Sequence, residues 1–257
     1  MAITSLPSPI PEATQDATME QPRSLKRKRS MPLTPPITLG DAASTKQLES
    51  AVHVLSTQAT ALSHITRLYQ TVPVAQNGFL AAVETIVRIN EAGGKLVVCG
   101  VGKSGLVGQK TVATMKSLGL ATAFMHAAEA MHGDLGDVRK NDAVLFISFS
   151  GRTAELLKVM EYIDHSIPVM ALTAHTEVKI CPLFANRPEG ILLPAPIHEP
   201  EEVSFGVCAP TTSTTVAIAI GDMLALTAAE RLHEYERDAV FRKNHPGGAI
   251  GASKKRG

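Results

Sequence analysis

Three short stretches carry most of the residues that could do chemistry. GVGKSG (100–105) sets Lys103 and Ser104 behind the turn glycine Gly102. SFSGRTAE (148–155) gathers the hydroxyls of Ser148, Ser150 and Thr153 around Gly151, with Glu155 just beyond. APTTSTT (209–215) brings Thr211 and Thr212, a few residues after Glu201 and Glu202. A hydroxyl-rich turn that enters a helix offers hydroxyl donors, unpaired N–H groups and the positive end of the helix dipole, which suits a phosphate monoester. One hydroxyl is enough for an ordinary helix cap, so three around a glycine point further than one does.

The remaining candidates are acids, bases and a cation. Aldose–ketose interconversion needs a base for a carbon-bound proton beside a carbonyl, an acid for the oxygens, and a donor or cation for the enediolate. Lys103, His126, Glu129, His132, Asp134, Glu155, Glu201, Glu202 and His245 supply those types. A partly buried Glu can have its pKa raised towards neutrality and so both take and give the proton. Lys103 suits the developing oxyanion and a His suits ring opening. Composition does not choose among the members. His132-Gly133-Asp134 and His245 are the candidates for a metal, but spacing supplies no ligand geometry and no metal is expected.

Two other phosphate readings fail on spacing. The nucleoside triphosphate loop needs a glycine where Val97 stands, inside an apolar run. Gly100-x-Gly102-x-x-Gly105 fits the dinucleotide pattern, but the next predicted strand ends in Met125-His126-Ala127-Ala128 where a ribose-binding acid should be. No nucleotide cofactor is expected.

Positioning these residues requires strands that alternate with helices. Asp41 is placed to cap a first helix, which includes LESAVHVLSTQATALSHITRLYQ, and a second spans about 75–92, closed by Gly93-Gly94. Short apolar strands are predicted at 95–100, 121–127, 143–150, 168–174 and 190–196, with helices at 104–119, 151–163 and 211–232. That order predicts parallel βαβ units with helices on both faces, and ligands then sit at the carboxyl ends of the strands. All three chemical stretches fall near such ends. HPGG (245–248) is a turn that ends a helix and positions His245.

Bulk properties agree. Apolar residues make up 44% of the 257, aromatics 4%, and Trp is absent, so Ala, Val, Ile and Leu must build the core. A net charge of +1 gives no global signal for nucleic acid or membrane. Cys99, Cys181 and Cys208 show no paired spacing, which fits a reducing compartment. No apolar run is expected to reach the roughly 18–20 residues that span a bilayer, and no signal-peptide pattern opens the chain. Residues 1–42 form a Pro/Ser/Thr-rich tail expected to be disordered, and 43–257 the folded domain. The expected location is cytoplasmic, with nuclear import as a second possibility through the run Lys26-Arg27-Lys28-Arg29.

Taken together, GVGKSG, HAAEAMHGDLG (126–136), SFSGRTAE, APTTSTT, GDMLA (221–225) and NHPGGAIG (244–251) stand in an order and spacing that resembles the sugar isomerase (SIS) domain family. Within it, the chain is similar to arabinose-5-phosphate isomerases of the KpsF/GutQ type, over about Leu48 to Ala252. The resemblance implies an αβα sandwich with a doubly wound, five-stranded parallel sheet. It implies reversible conversion of D-arabinose 5-phosphate to D-ribulose 5-phosphate without a cofactor, and a homo-oligomer, dimer or tetramer, with sites at subunit interfaces. By the same resemblance the catalytic residues are Lys103, Glu155, Glu202 (with Glu201 adjacent) and His245. The substrate-binding residues are Gly102, Ser104, His132, Ser148, Ser150, Gly151, Thr153, Thr211 and Thr212. Relatives usually carry Asn where Phe149 stands and Glu where Arg152 stands, and EEVSFGVC (201–208) departs from their Cys-Pro-Leu-Gly-Leu type of segment. With Gly257 as the last residue, regulation by the CBS domains of many relatives is expected to be absent. SIS domains also serve regulators, so a non-catalytic sugar-phosphate sensor is the alternative.

Overall fold

The structure is a computed structural model and describes residues 42–247. The N-terminal tail up to Asp41, its Lys26–Arg29 run, and the segment from Gly248 onward lie outside the described residues. Two helices come first, α1 (Ala42–Thr71) and α2 (Pro73–Glu91). α1 buries only Thr57, Ala61 and Ile65, one residue per turn of its second half. α2 opens on Pro73, whose missing N–H is one no helix start could have paired. Gly93, with φ of +73°, ends it.

The sheet follows. Strands β1 (Leu96–Gly100), β2 (Thr122–His126), β3 (Ala143–Ile147), β4 (Val169–Thr173) and β5 (Ile191–Pro194) are all parallel, in the order β2-β1-β3-β4-β5. Every residue of β1, β3 and β4 is buried, which is why each reads as an apolar run, with Thr173 at the end of β4 the one polar side chain. Alternate residues feed opposite cores. Leu96, Val98, Leu145, Ile147, Met170 and Leu172 pack against α1, α2, α3 (Gly102–Ser117) and α7 (Thr212–His233). Val97, Cys99, Val144, Phe146, Val169 and Ala171 pack against α4 (Ala127–Ala130), α5 (Ala154–Tyr162) and the turns around Cys181–Phe184. This is the expected doubly wound sandwich, and the strand order reverses between β1 and β3.

Three differences from the sequence expectation matter. β3 stops at Ile147 and α5 starts at Ala154, so Ser148–Thr153 is neither strand nor helix. Gly151, with φ of +63°, makes the turn there. Two short helices, α4 and α6 (Glu201–Phe205), were not foreseen, while α8 (Arg237–Lys243) is a helix ending just before His245, as the HPGG turn led one to expect. Finally, the helical stretch Thr212–Lys243 is long and apolar enough by length and composition to cross a membrane, with a mean hydropathy of 1.3. Its apolar window is 56% buried inside the protein. α7 meets α1, α2 and α3, so it is apolar on several faces because it is a core helix.

Candidate functional site

The site is built where the strands end. β1 runs out at Gly100, in register with His126 of β2, and Val101 turns the chain into α3. A Cβ on Gly100 would lie 3.1 Å from the Gly105 nitrogen, and one on Gly108 would lie 3.1 Å from a Val98 methyl. These glycines therefore let α3 lie close against the sheet, and Gly102, with φ of +55°, makes the turn itself. α3 opens with no side-chain cap on its first N–H groups. Lys103 stands in that opening with no carboxylate partner among the described residues.

Next to it, the turn after β3 is tied together by its own hydroxyls. Ser148 is 2% exposed; its Oγ lies 2.8 Å from Thr153 Oγ1 and accepts the Gly151 N–H at 3.1 Å. Ser150 Oγ accepts the Arg152 N–H at 3.2 Å. α5 then begins at Ala154 with no side-chain cap, leaving its opening N–H groups to another acceptor.

The third wall is α6 and the start of α7. Glu201 Oε1 accepts the backbone N–H of Thr211 at 2.7 Å, that of Ser213 at 2.9 Å, and the Ser213 hydroxyl at 2.9 Å. Glu201 is thus the cap of α7, supplied from ten residues upstream, and its negative charge suits the helix N-terminus. α6 is held from outside as well. His53 of α1 donates from Nε2 to the Ser204 carbonyl at 3.1 Å and meets the Phe205 ring edge-on, and the Ser204 hydroxyl donates to Glu199. Glu202 remains, exposed, with the Cys208 thiol 3.4 Å from its Oε2. That hydrogen bond, together with the carboxylate charge, pushes the Cys208 thiol above its ordinary range and keeps it protonated as a donor.

These walls enclose a cavity of about 510 Å³. Its polar lining is Lys103, Ser104, Thr173, Glu201, Glu202, Cys208, Ser213 and Thr214; Val101, Val107, Ile147, Phe149, Leu172 and Ile197 are among its apolar residues. A cation and a carboxylate that no helix opening uses therefore face one space, with hydroxyls beside them. Such a set can hold an anion, stabilise an oxyanion and move a proton.

Of the residues expected from sequence, Lys103, Ser104 and Glu202 line the cavity. Gly102 makes the turn beside them. Ser148, Ser150, Gly151 and Thr153 form the neighbouring turn, whose Phe149 faces the cavity. The structure does not bring the others to the cavity wall. Glu155 is exposed in the first turn of α5, away from the lining. Thr211 is spent on Glu201, and Thr212 is 1% exposed inside the core; Ser213 and Thr214, the next two residues round the helix, face the cavity instead. His132 is exposed in the turn after α4, also off the lining. His245 sits at the opposite edge of the sheet. Asn244 beside it donates to the carbonyls of Lys116 and Ser117 at the far end of α3, and the His245 ring packs on Phe241 with Nδ1 donating to the Phe241 carbonyl at 2.8 Å. Among the described residues no group of three or more His, Cys, Asp or Glu side chains is placed to hold a metal ion.

From the sequence, Glu201 stands beside Glu202 as a candidate acid and not as a cap, Ser213 and Thr214 stand unassigned within the APTTSTT turn, and Thr173 and Cys208 have no role. The phase of α7 was the only available signal: a helix starting at Thr212 turns Ser213 and Thr214 to a different side from Thr212.

Comparison with known proteins supplies the remaining findings. A family model described as the SIS domain matches residues 88–227. An uncharacterized protein of Helicobacter pylori is 36% identical over 206 residues, 79% of this chain and 58% of that protein. The arabinose 5-phosphate isomerase KdsD of Francisella tularensis is 34% identical over 174 residues, 67% of this chain and 50% of that protein. The chain thus spans about half the length of the curated relatives it matches. Among solved structures, an Escherichia coli protein in complex with arabinose 5-phosphate aligns with a TM-score of 0.65 and 28% identity, covering 79% of this chain and 98% of that one.

Proposed function

The chain belongs to the SIS domain family, and from that premise we propose that it is an aldose–ketose isomerase that interconverts D-arabinose 5-phosphate and D-ribulose 5-phosphate through an enediolate. The observation that carries the reading is the single cavity faced by Lys103 and by Glu202, beside two helix openings that no side chain caps. The likeness to isomerases of this sugar phosphate, and to a structure holding it, supports the substrate.

In this reading the phosphate rests on the openings of α3 and α5, held by backbone N–H groups and by the hydroxyls of Ser104 and Thr153, with Ser148 setting the Thr153 hydroxyl from behind. The Glu202 carboxylate takes the proton from C2 of the open-chain aldose. The electron pair moves into a C1–C2 double bond, and O1 takes the negative charge beside the Lys103 ammonium. Glu202 then returns its proton to C1, while the O2 proton passes to O1 and leaves the ketose; no redox partner is consumed. Glu155 does not line the cavity and is given no proton-transfer role in this reading. His245 reaches a site only in another copy of the chain, as the expected homo-oligomer would allow.

The test is to mix the purified protein with arabinose 5-phosphate and, separately, with ribulose 5-phosphate, and to follow both by NMR. Interconversion from either side is expected. Binding of either sugar without turnover would overturn the reading in favour of a sugar-phosphate sensor.

A further inference from the structure

The turn that would hold the phosphate does not hold itself; it is clamped by the end of β4. Thr173 is fully buried, and its Oγ1 donates to the Phe149 carbonyl at 3.1 Å while the Ala174 N–H donates to the same oxygen at 2.9 Å. The next residue, His175, lies 2.9 Å through Nε2 from the Ser150 carbonyl. A carbonyl only accepts, so Nε2 carries the hydrogen. The same ring backs Gly151: a Cβ there would come within 3.1 Å of His175 Cδ2, and within 3.3 Å of the Pro182 ring behind it.

This arrangement aims the turn. In a trans peptide the C=O and the following N–H point opposite ways. With the Phe149 and Ser150 carbonyls drawn to β4, the N–H groups of Ser150 and Gly151 must face away from β4. The Gly151 N–H meets Ser148 Oγ, which in turn sets the Thr153 hydroxyl, while the Ser150 N–H has no acceptor among the described residues. An N–H fixed outward beside an uncapped helix opening is an anion donor.

We propose that His175 is a positioning residue for the substrate phosphate: it holds the Ser150–Gly151 peptide so that the turn after β3 presents its donors to the anion. The inference rests on the reading of that turn as the phosphate grip. His175 touches neither the cavity nor the reacting carbons, so its effect belongs to binding and not to proton transfer.

A matched pair of variants in the full chain tests it. His175→Gln and His175→Leu both fill the space beside Gly151, but only Gln keeps a donor where Nε2 stood. With arabinose 5-phosphate, His175→Leu is expected to raise KM about tenfold with kcat within about twofold, and His175→Gln to restore most of the loss. If His175→Leu does not fold, as judged by circular dichroism, His175→Ala takes its place. An unchanged KM in the Leu variant, a fall in kcat alone, or a Gln variant no better than Leu overturns the inference. Calorimetric titration with inorganic phosphate separates this from the isomerase reading. If the wild type binds phosphate and the Leu variant binds it about tenfold more weakly, the inference stands even where no sugar is turned over. If the two bind alike, or the wild type binds none, it falls.

Discussion

The turn before α5 and the turn before α7 read alike in the sequence. Each sets several Ser and Thr residues at the start of a helix near the carboxyl edge of the sheet. The structure gives them opposite roles. Before α7 the donors are already filled, because one carboxylate oxygen of Glu201 takes two backbone N–H groups and a hydroxyl. Before α5 the hydroxyls bond to one another and to the turn, no side chain caps the helix, and the turn is clamped from β4. One helix opening is closed by the protein's own anion and the other stays open to a foreign one. A hydroxyl-rich helix start is free to receive a phosphate only where no acidic side chain caps it first.

Substitutions can break this contrast or sharpen it, and they rank by their effect on turnover. Apart from the two glutamates, the largest effect belongs to Lys103, which stands in the other uncapped opening: Lys103→Met should lower kcat by about 10²–10³, as removal of an oxyanion donor does, with KM changed far less. Equal losses in kcat and binding would make Lys103 a phosphate ligand instead. Next comes the pair of turns itself. Thr153→Val should raise KM roughly tenfold to a hundredfold, the worth of a hydrogen bond to a charged group, and Ser148→Ala, which removes the oxygen that sets the Thr153 hydroxyl and the Gly151 N–H, should raise it less. Thr211→Val should leave KM within about twofold, because the hydroxyl it removes is spent inside the protein on the Ala209 carbonyl. A Thr211 effect as large as that of Ser148 would erase the distinction.

Smaller effects on turnover test the cap and the far edge. Glu201→Ala should cost about 0.5–2 kcal/mol of stability, as loss of a cap does, read as a Tm lower by a few degrees. Glu201→Gln, which keeps an acceptor oxygen, should recover most of that. The smallest effect on turnover is expected at the edge where the strands begin. Burial there works to raise the Asp142 carboxyl, but hydrogen bonds from the Lys95 ammonium and from the Arg139 and Lys95 backbone hold it below the ordinary carboxylate range. Its folded pKa lies below its unfolded value of about 3.9, so its stabilisation is present above that pH and is lost as pH falls through the folded value. Asp142→Asn should therefore weaken the fold at neutral pH and flatten the acid limb of a Tm–pH curve, with turnover unchanged.

Much of the fold was legible because buried parallel strands leave a plain trace. LVVCG and AVLFI carry no polar side chain and VMALT only its last, Thr173, since both faces of each strand meet a core. The order of motifs then set Lys103 and the Ser148–Thr153 turn at strand ends. What escaped depends on contacts far apart in the chain. α6 is only five residues long and has no apolar period to betray it; α7 holds it through Glu201, and α1 holds it through a His53 contact spanning 151 positions. Nothing local separates Glu201 from Glu202; the geometry of α7 does, by drawing one carboxylate in and leaving the other to the cavity. His245 was matched by motif, yet Asn244 anchors its segment to the far end of α3. Motif order carries no information on which edge of the sheet, or which copy of the chain, a residue serves.

The most direct test of the account is exchange of the C2 proton of arabinose 5-phosphate with deuterated water, followed by NMR for the wild type, Glu201→Gln and Glu202→Gln in parallel. Rapid exchange is expected in the wild type, exchange within about threefold of it in Glu201→Gln, and a loss of about 10²–10⁴ in Glu202→Gln, the range for a missing general base. Exchange at the wild-type rate in Glu202→Gln, or its collapse in Glu201→Gln alone, would contradict the assignment of one glutamate as the cap and the other as the base.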